Sequence, residues 1–93
     1  MYFMTEFRVV RSALPEKVPS DREYEQEMIK QGKLLMAFGS VGGPKNYFLW
    51  NVESSDELRK ILAGFPLNKL IEWTTHPVTL MGCFKEWSIN YAL

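Results

Sequence analysis

The sequence predicts an α+β domain of the ferredoxin-like type, a β-α-β-β-α-β sandwich with two helices on one antiparallel sheet and a C-terminal β extension. Three observations lead there. Hydrophobicity with a period of two opens and closes the chain, two Ser-x-x-Glu signals each precede one-sided helical spacing, and a glycine-rich reversal joins two apolar runs between them. With 93 residues, 46% hydrophobic and 24% charged, the chain is one globular domain with a thin stability margin, so a partner copy would help it.

Residues 2–10 place Phe3, Phe7 and Val9 on one parity against Glu6 and Arg8 on the other, the pattern of a strand with one buried face. Residues 12–20 hold Pro15 and Pro19 and read as a connecting loop. Ser20-Asp21-Arg22-Glu23 then starts a helix, with Tyr24, Met28 and Ile29 as its apolar positions and Gly32 as its left-handed stop. Its remaining residues, Arg22, Glu23, Glu25, Glu27 and Lys30, are charged, so the helix covers a core from outside.

Residues 34–50 change character, because apolar and aromatic side chains occupy both parities and Lys45 is the single charge. Gly39, Gly42, Gly43 and Pro44 break the run and predict two strands joined by a hairpin. Ser54-Ser55-Asp56-Glu57 caps a second helix whose Leu58, Ile61, Leu62 and Phe65 form one stripe, ended by Gly64 and Pro66. Residues 70–80 read as a strand, with Pro77 confining it to a sheet edge. Trp87, Ile89, Tyr91 and Leu93 share one parity and predict a final packed strand. Strands two and three are apolar on both faces, so the face away from the helices needs a cover. A second copy of the chain is the simplest one.

Eleven basic residues balance eleven acidic ones, and a cut after Lys33 leaves six of each before it and five of each after it. Without a basic surplus there is no footprint for nucleic acid. The longest charge-free stretches, 34–44 and 73–84, fall short of the roughly 20 residues that span a bilayer, so no membrane role is expected. The N-terminus lacks a signal-peptide pattern and Cys83 is the lone cysteine, which together read as a cytoplasmic chain without disulfides. One cysteine and one histidine also leave no thiolate zinc set, and no metal is expected.

Proton-transfer chemistry would fall to His76, Glu72, Glu23 or Glu27. Glu72, Thr74 and His76 share one strand face at two-residue spacing, so a carboxylate and an imidazole can line one groove; a polar row on an edge strand is also what a merely solvated face looks like. A cavity between sheet and helices that holds Glu72 or His76 would decide the matter. Glu23 has a capping role open to it, and Glu27 belongs to a solvated helix face. Tyr47, Phe48 and Trp50 can stack on a planar ligand or pack a core, and Tyr47, Trp50 and Thr74 are the ligand-binding candidates. Residues 39–43 lead into a strand instead of a helix, so they are a hairpin turn and not a phosphate cradle. Cys83 has no basic neighbour in sequence to activate it as a nucleophile.

The spacing of several residues resembles the muconolactone isomerase family: Leu14-Pro15 after the first strand, Gly32 closing the first helix, Gly42 in the hairpin, Asn46 opening strand three, Val52 with Ser54 before the second helix, and Phe65-Pro66-Leu67 followed by Leu70-Ile71-Glu72. The likeness runs over residues 2–78. It implies a dimeric α+β barrel paired through its sheets, cytoplasmic, free of metal and cofactor. The reaction it implies moves a double bond in a small unsaturated lactone bearing a carboxylate, by taking a proton from one carbon and returning one to another. The chain departs from the family in strand two, where an aromatic and basic run is replaced by Leu34, Leu35, Met36 and Gly39, so a cation to hold a carboxylate is expected to be missing there. Lys45 and Lys69, the nearest substitutes, sit beside turns and are expected to extend into water. Two functions follow: a cofactor-free isomerase or proton-transfer enzyme on a small cyclic, lactone-like acid, or a small-ligand-binding or assembly module that has lost the chemistry.

Overall fold

A computed structural model describes residues 1–9 and 21–81. The linker at 10–20 and the C-terminal strand expected from Trp87, Ile89, Tyr91 and Leu93 lie outside the described residues. The elements are β1 (Tyr2–Val9), α1 (Arg22–Lys30), β2 (Leu34–Gly39), β3 (Asn46–Asn51), α2 (Ser55–Ala63), a 3-10 turn (Asn68–Leu70) and β4 (Ile71–Val78). The sheet order is β2-β3-β1-β4 and every pairing is antiparallel. This is the ferredoxin-like arrangement expected from the element order.

α2 follows its sequence signals closely. Ser54 accepts a hydrogen bond from the Glu57 amide at 3.1 Å, while the Glu57 carboxylate reaches back to the Glu53 amide at 3.2 Å. Leu58, Ile61, Leu62 and Phe65 are all buried. α1 departs at its start, since the cap position is Asp21, which makes no side-chain capping bond, and Glu23 lies exposed. Asp21 instead accepts from the Leu67 amide at 3.1 Å, tying α1 to the turn before β4. Met28 and half-buried Tyr24 face the core, whereas Ile29 is 57% exposed, because it lies outside the stripe those two define. Gly32 has φ 74 and closes the helix as expected. Gly64 is required for a different reason: a Cβ there would collide with the Tyr24 hydroxyl, which donates to the Ile61 carbonyl.

The core lies between the helices and one sheet face, and gathers Phe3, Phe48, Trp50, Leu58 and Phe65 with their neighbours. The T-shaped Phe48–Trp50 pair and the tilted Phe7–Phe48 pair extend it along the sheet. Among the described residues Thr5 is its one buried polar residue, and its hydroxyl accepts from the Trp50 indole at 2.9 Å.

The other sheet face has no cover within the described chain. Leu34 pairs with Trp50 and Met36 with Leu49, so Leu35 is an extra residue, a β-bulge. Beyond it Met36 and Phe38 share the open face with Tyr47 and Leu49, and are 51% and 44% exposed. The two-sided apolarity read in strands two and three is therefore real. No helix among the described residues is long and apolar enough to cross a membrane.

Candidate functional site

Alternation along β1 sends Phe3, Thr5 and Phe7 under the helices and leaves Met4, Glu6 and Arg8 on the open face. Register then decides what each meets. Glu6 lies between Tyr47 of β3 and Thr74 of β4, Arg8 lies opposite Glu72, and Met4 opposite His76. Lys45 enters from the residue before β3.

Two ion pairs form. Lys45 Nζ is 3.1 Å from Glu6 Oε1, and Arg8 Nε donates to Glu72 Oε2 at 2.9 Å. The Tyr47 hydroxyl makes a long third contact, 3.4 Å, to the same Glu6 oxygen. The Lys45 hydrogen bond holds the Glu6 carboxyl below its usual range against the opposing pull of desolvation, with help from the Lys45 charge, Tyr47 and His76. In return Glu6 raises Lys45, and Glu72 raises Arg8. Glu6, Arg8, Lys45, Glu72 and Thr74 line a shallow cavity of about 260 Å3. That volume is just under the roughly 300 Å3 of the smallest common ligand pockets, which suits one small ring.

A larger hollow of about 460 Å3 at the far end of β1 and β4 is lined by Met1, Tyr2, Pro77, Val78, Thr79 and Leu80 and brings no carboxylate, imidazole, lysine or arginine side chain to a ligand. Among the described residues no group of three His, Cys, Asp or Glu stands close enough to hold a metal ion.

The structure brings Tyr47, Glu72, Thr74 and His76 to one face, with Glu72 and Thr74 lining the cavity and His76 one residue pair beyond it. It does not place them between sheet and helices; they look the opposite way. Trp50 is corrected, because its ring is 0% exposed and its N–H is committed to Thr5, so it packs the core and offers no surface to a ligand. Glu27 accepts from Gln31 at 2.9 Å on the exposed face of α1, away from the site.

β2 carries no cation, but Arg8 and Lys45 reach the same face from β1 and from the start of β3; the expectation corrected is that for Lys45, which pairs with Glu6 while remaining 57% exposed. Glu6 and Arg8 are the residues that sequence reasoning missed. Their signal was the polar parity of the first strand, which becomes a site only once the β1–β4 register is known.

Residues 1–81 match the family model described as muconolactone delta-isomerase. The curated muconolactone delta-isomerase of Rhodococcus opacus is 33% identical over 67 residues, which span 72% of each chain. That of Acinetobacter baylyi is 35% identical over 63 residues, covering 58% of this chain and 66% of the relative. Among solved structures, a muconolactone isomerase superposes with a TM-score of 0.67 at 20% identity, over 89% of this chain and 98% of its own. The 5-chloro-2-hydroxyhydroquinone dehydrochlorinase of Burkholderia phenoliruptrix, solved with 2,5-dihydroxybenzoquinone, superposes with a TM-score of 0.51 at 14% identity, over 85% and 94%. At these identities the two structures speak for the fold alone.

Proposed function

Because the chain belongs to the muconolactone delta-isomerase family, we propose that it shifts a double bond within a small, unsaturated, lactone-like ring on the open face of its sheet, without a cofactor. The observation that carries this reading is the shared face itself: an imidazole, a phenol, two cations and two carboxylates stand beside the apolar side chains of Met4 and Leu49.

His76 is the proton carrier in this reading. An imidazole can take and return protons near neutral pH, and Glu72, the other candidate, is engaged by Arg8. The imidazole lone pair takes a proton from a ring carbon, and the released electron pair moves into conjugation with the ring carbonyl. Lys45 and Arg8, whose charges are paired with Glu6 and Glu72, offer their remaining N–H donors to the carbonyl oxygen as negative charge develops there, a contribution of up to about 3 to 4 kcal/mol for a well-placed donor. The imidazolium then gives its proton to a different carbon. The ring keeps its composition and its double bond has moved. Tyr47 and Thr74 contact the ring's oxygens.

A flat face leaves such a reaction open to water, and a second copy of the chain laid on Met4, Met36, Phe38 and Leu49 would close it. Homodimerisation through this face is therefore part of the same reading.

The test is a spectrophotometric assay of the purified protein on muconolactone and on its methyl ester. Turnover of at least one ring is expected, falling about 100-fold in His76→Ala with the circular dichroism unchanged. Turnover that survives both His76→Ala and Glu72→Gln overturns the assignment of the site. Absence of turnover with both rings, in a folded dimer, favours the alternative of a non-catalytic binding module on the same scaffold.

A further inference from the structure

We infer that Glu72 sets the charge specificity of the site: by occupying Arg8 it turns away rings that carry a free carboxylate and favours neutral ones. This rests on the proposed location of the site and deepens it.

Both cations of the cavity are already matched by carboxylates of the same chain, Lys45 by Glu6 and Arg8 by Glu72. The two pairs are not alike. Glu6 is the more enclosed carboxylate, with its side chain 27% exposed, and Tyr47 also touches it, so the Lys45 pair is anchored. Arg8 and Glu72 are 53% and 59% exposed and meet through a single Nε contact. An exposed pair of this kind contributes little to stability, commonly 1 kcal/mol or less. The fold therefore does not depend on it, and its consequence is electrostatic.

An anionic ring approaching Arg8 must displace Glu72. The displaced carboxylate remains tethered on β4 beside it, with Glu6 one strand pair away. The anion gains a cation and acquires two like-charged neighbours, so its carboxylate brings no net attraction. A neutral ring leaves both ion pairs intact, and its carbonyl accepts a hydrogen bond from whichever donor it faces. Removing the Glu72 charge reverses this balance: Arg8 becomes free and the cavity gains one net positive charge.

Calorimetric titration with muconolactone and with its methyl ester, which differ by one charge, tests the inference by binding alone. The wild-type protein is expected to bind the ester more tightly. In Glu72→Gln the preference should swing toward muconolactone by about tenfold, the equivalent of about 1.4 kcal/mol, and the gain should fade as ionic strength rises. Glu72→Asp should keep the wild-type order, and adding Arg8→Met to Glu72→Gln should abolish the gain. A wild-type preference for muconolactone, an unchanged ratio in Glu72→Gln, or a gain that survives Arg8→Met overturns the inference. If affinities switch as described but no variant turns over either ring, the isomerase reading fails and the specificity role stands. If turnover occurs and the ratio never moves, the reverse holds. Failure of both rings to bind overturns both.

Discussion

Thr5 is a hydroxyl placed where the β1 parity calls for an apolar side chain, and Trp50 explains it. The indole N–H is buried with its ring and needs an acceptor, which Thr5 supplies at 2.9 Å. Thr5→Val keeps the shape and removes the acceptor, so unfolding by urea should show a loss of about 1 to 3 kcal/mol. Thr5→Ser should lose less. On the open face, Glu6 carries the clearest pH signature. Its carboxyl is held below the ordinary value of 4.5, first by the Lys45 hydrogen bond. A lowered carboxyl contributes stability that is complete above its unfolded value and is lost as pH falls through the folded one, so the Glu6–Lys45 contact acts at neutral pH and disappears in acid below 4.5. Lys45→Met should move the Glu6 titration upward when followed by carbon NMR of the side-chain carboxyl. An unmoved titration would show that Lys45 does not hold this carboxylate in solution.

Elements whose signals are local were legible, and those that needed a neighbour were not. The stripe, cap and stop of α2 all lie within a dozen residues, and each is found where the spacing puts it. Ser54→Ala should therefore destabilise by about 1 kcal/mol. Gly32→Ala should cost a similar amount through backbone strain alone, since φ is 74 and a Cβ there meets nothing within 4 Å. Thermal melts of the two single variants check both, and a neutral Gly32→Ala would mean that the α1 stop relaxes. The start of α1 was misread because Asp21 is drawn away by Leu67, a contact 46 residues distant in sequence. The place of Arg8 in the candidate site was hidden for the same reason on a larger scale. Arg8 and Glu72 are 64 residues apart, and only sheet order makes them a pair. Trp50 was ambiguous because β3 is apolar at both parities, so hydrophobicity alone could not say which ring faced inward.

At the scale of the whole molecule, one sheet face is filled by helices and the other carries half-exposed Met36 and Phe38 around buried Leu49. If a second copy covers that face, light scattering at micromolar concentration should give at least twice the mass of one chain, with an interface burying about 1,200 Å2 or more. Phe38→Asp should then yield a folded monomer, because this side chain is already 44% exposed in the single chain and its charge can remain hydrated there. A wild-type protein that stays monomeric sinks the pairing. The bulge at Leu35 bears on how such pairing ends. β2 lies at the rim of the sheet, and an even rim is a template on which further strands can be added without limit. One surplus residue puts the outward amides and carbonyls of that rim out of step with any straight strand laid against it. Deleting Leu35 would restore regular alternation and still leave Met36 and Phe38 on the open face, so the deletion variant should keep its pairing face while growing fibrous aggregates that scatter light increasingly with time. In a chain that pairs in this way, a single supernumerary leucine would separate two modes of self-association, letting copies stack and stop while denying them a ribbon that never closes.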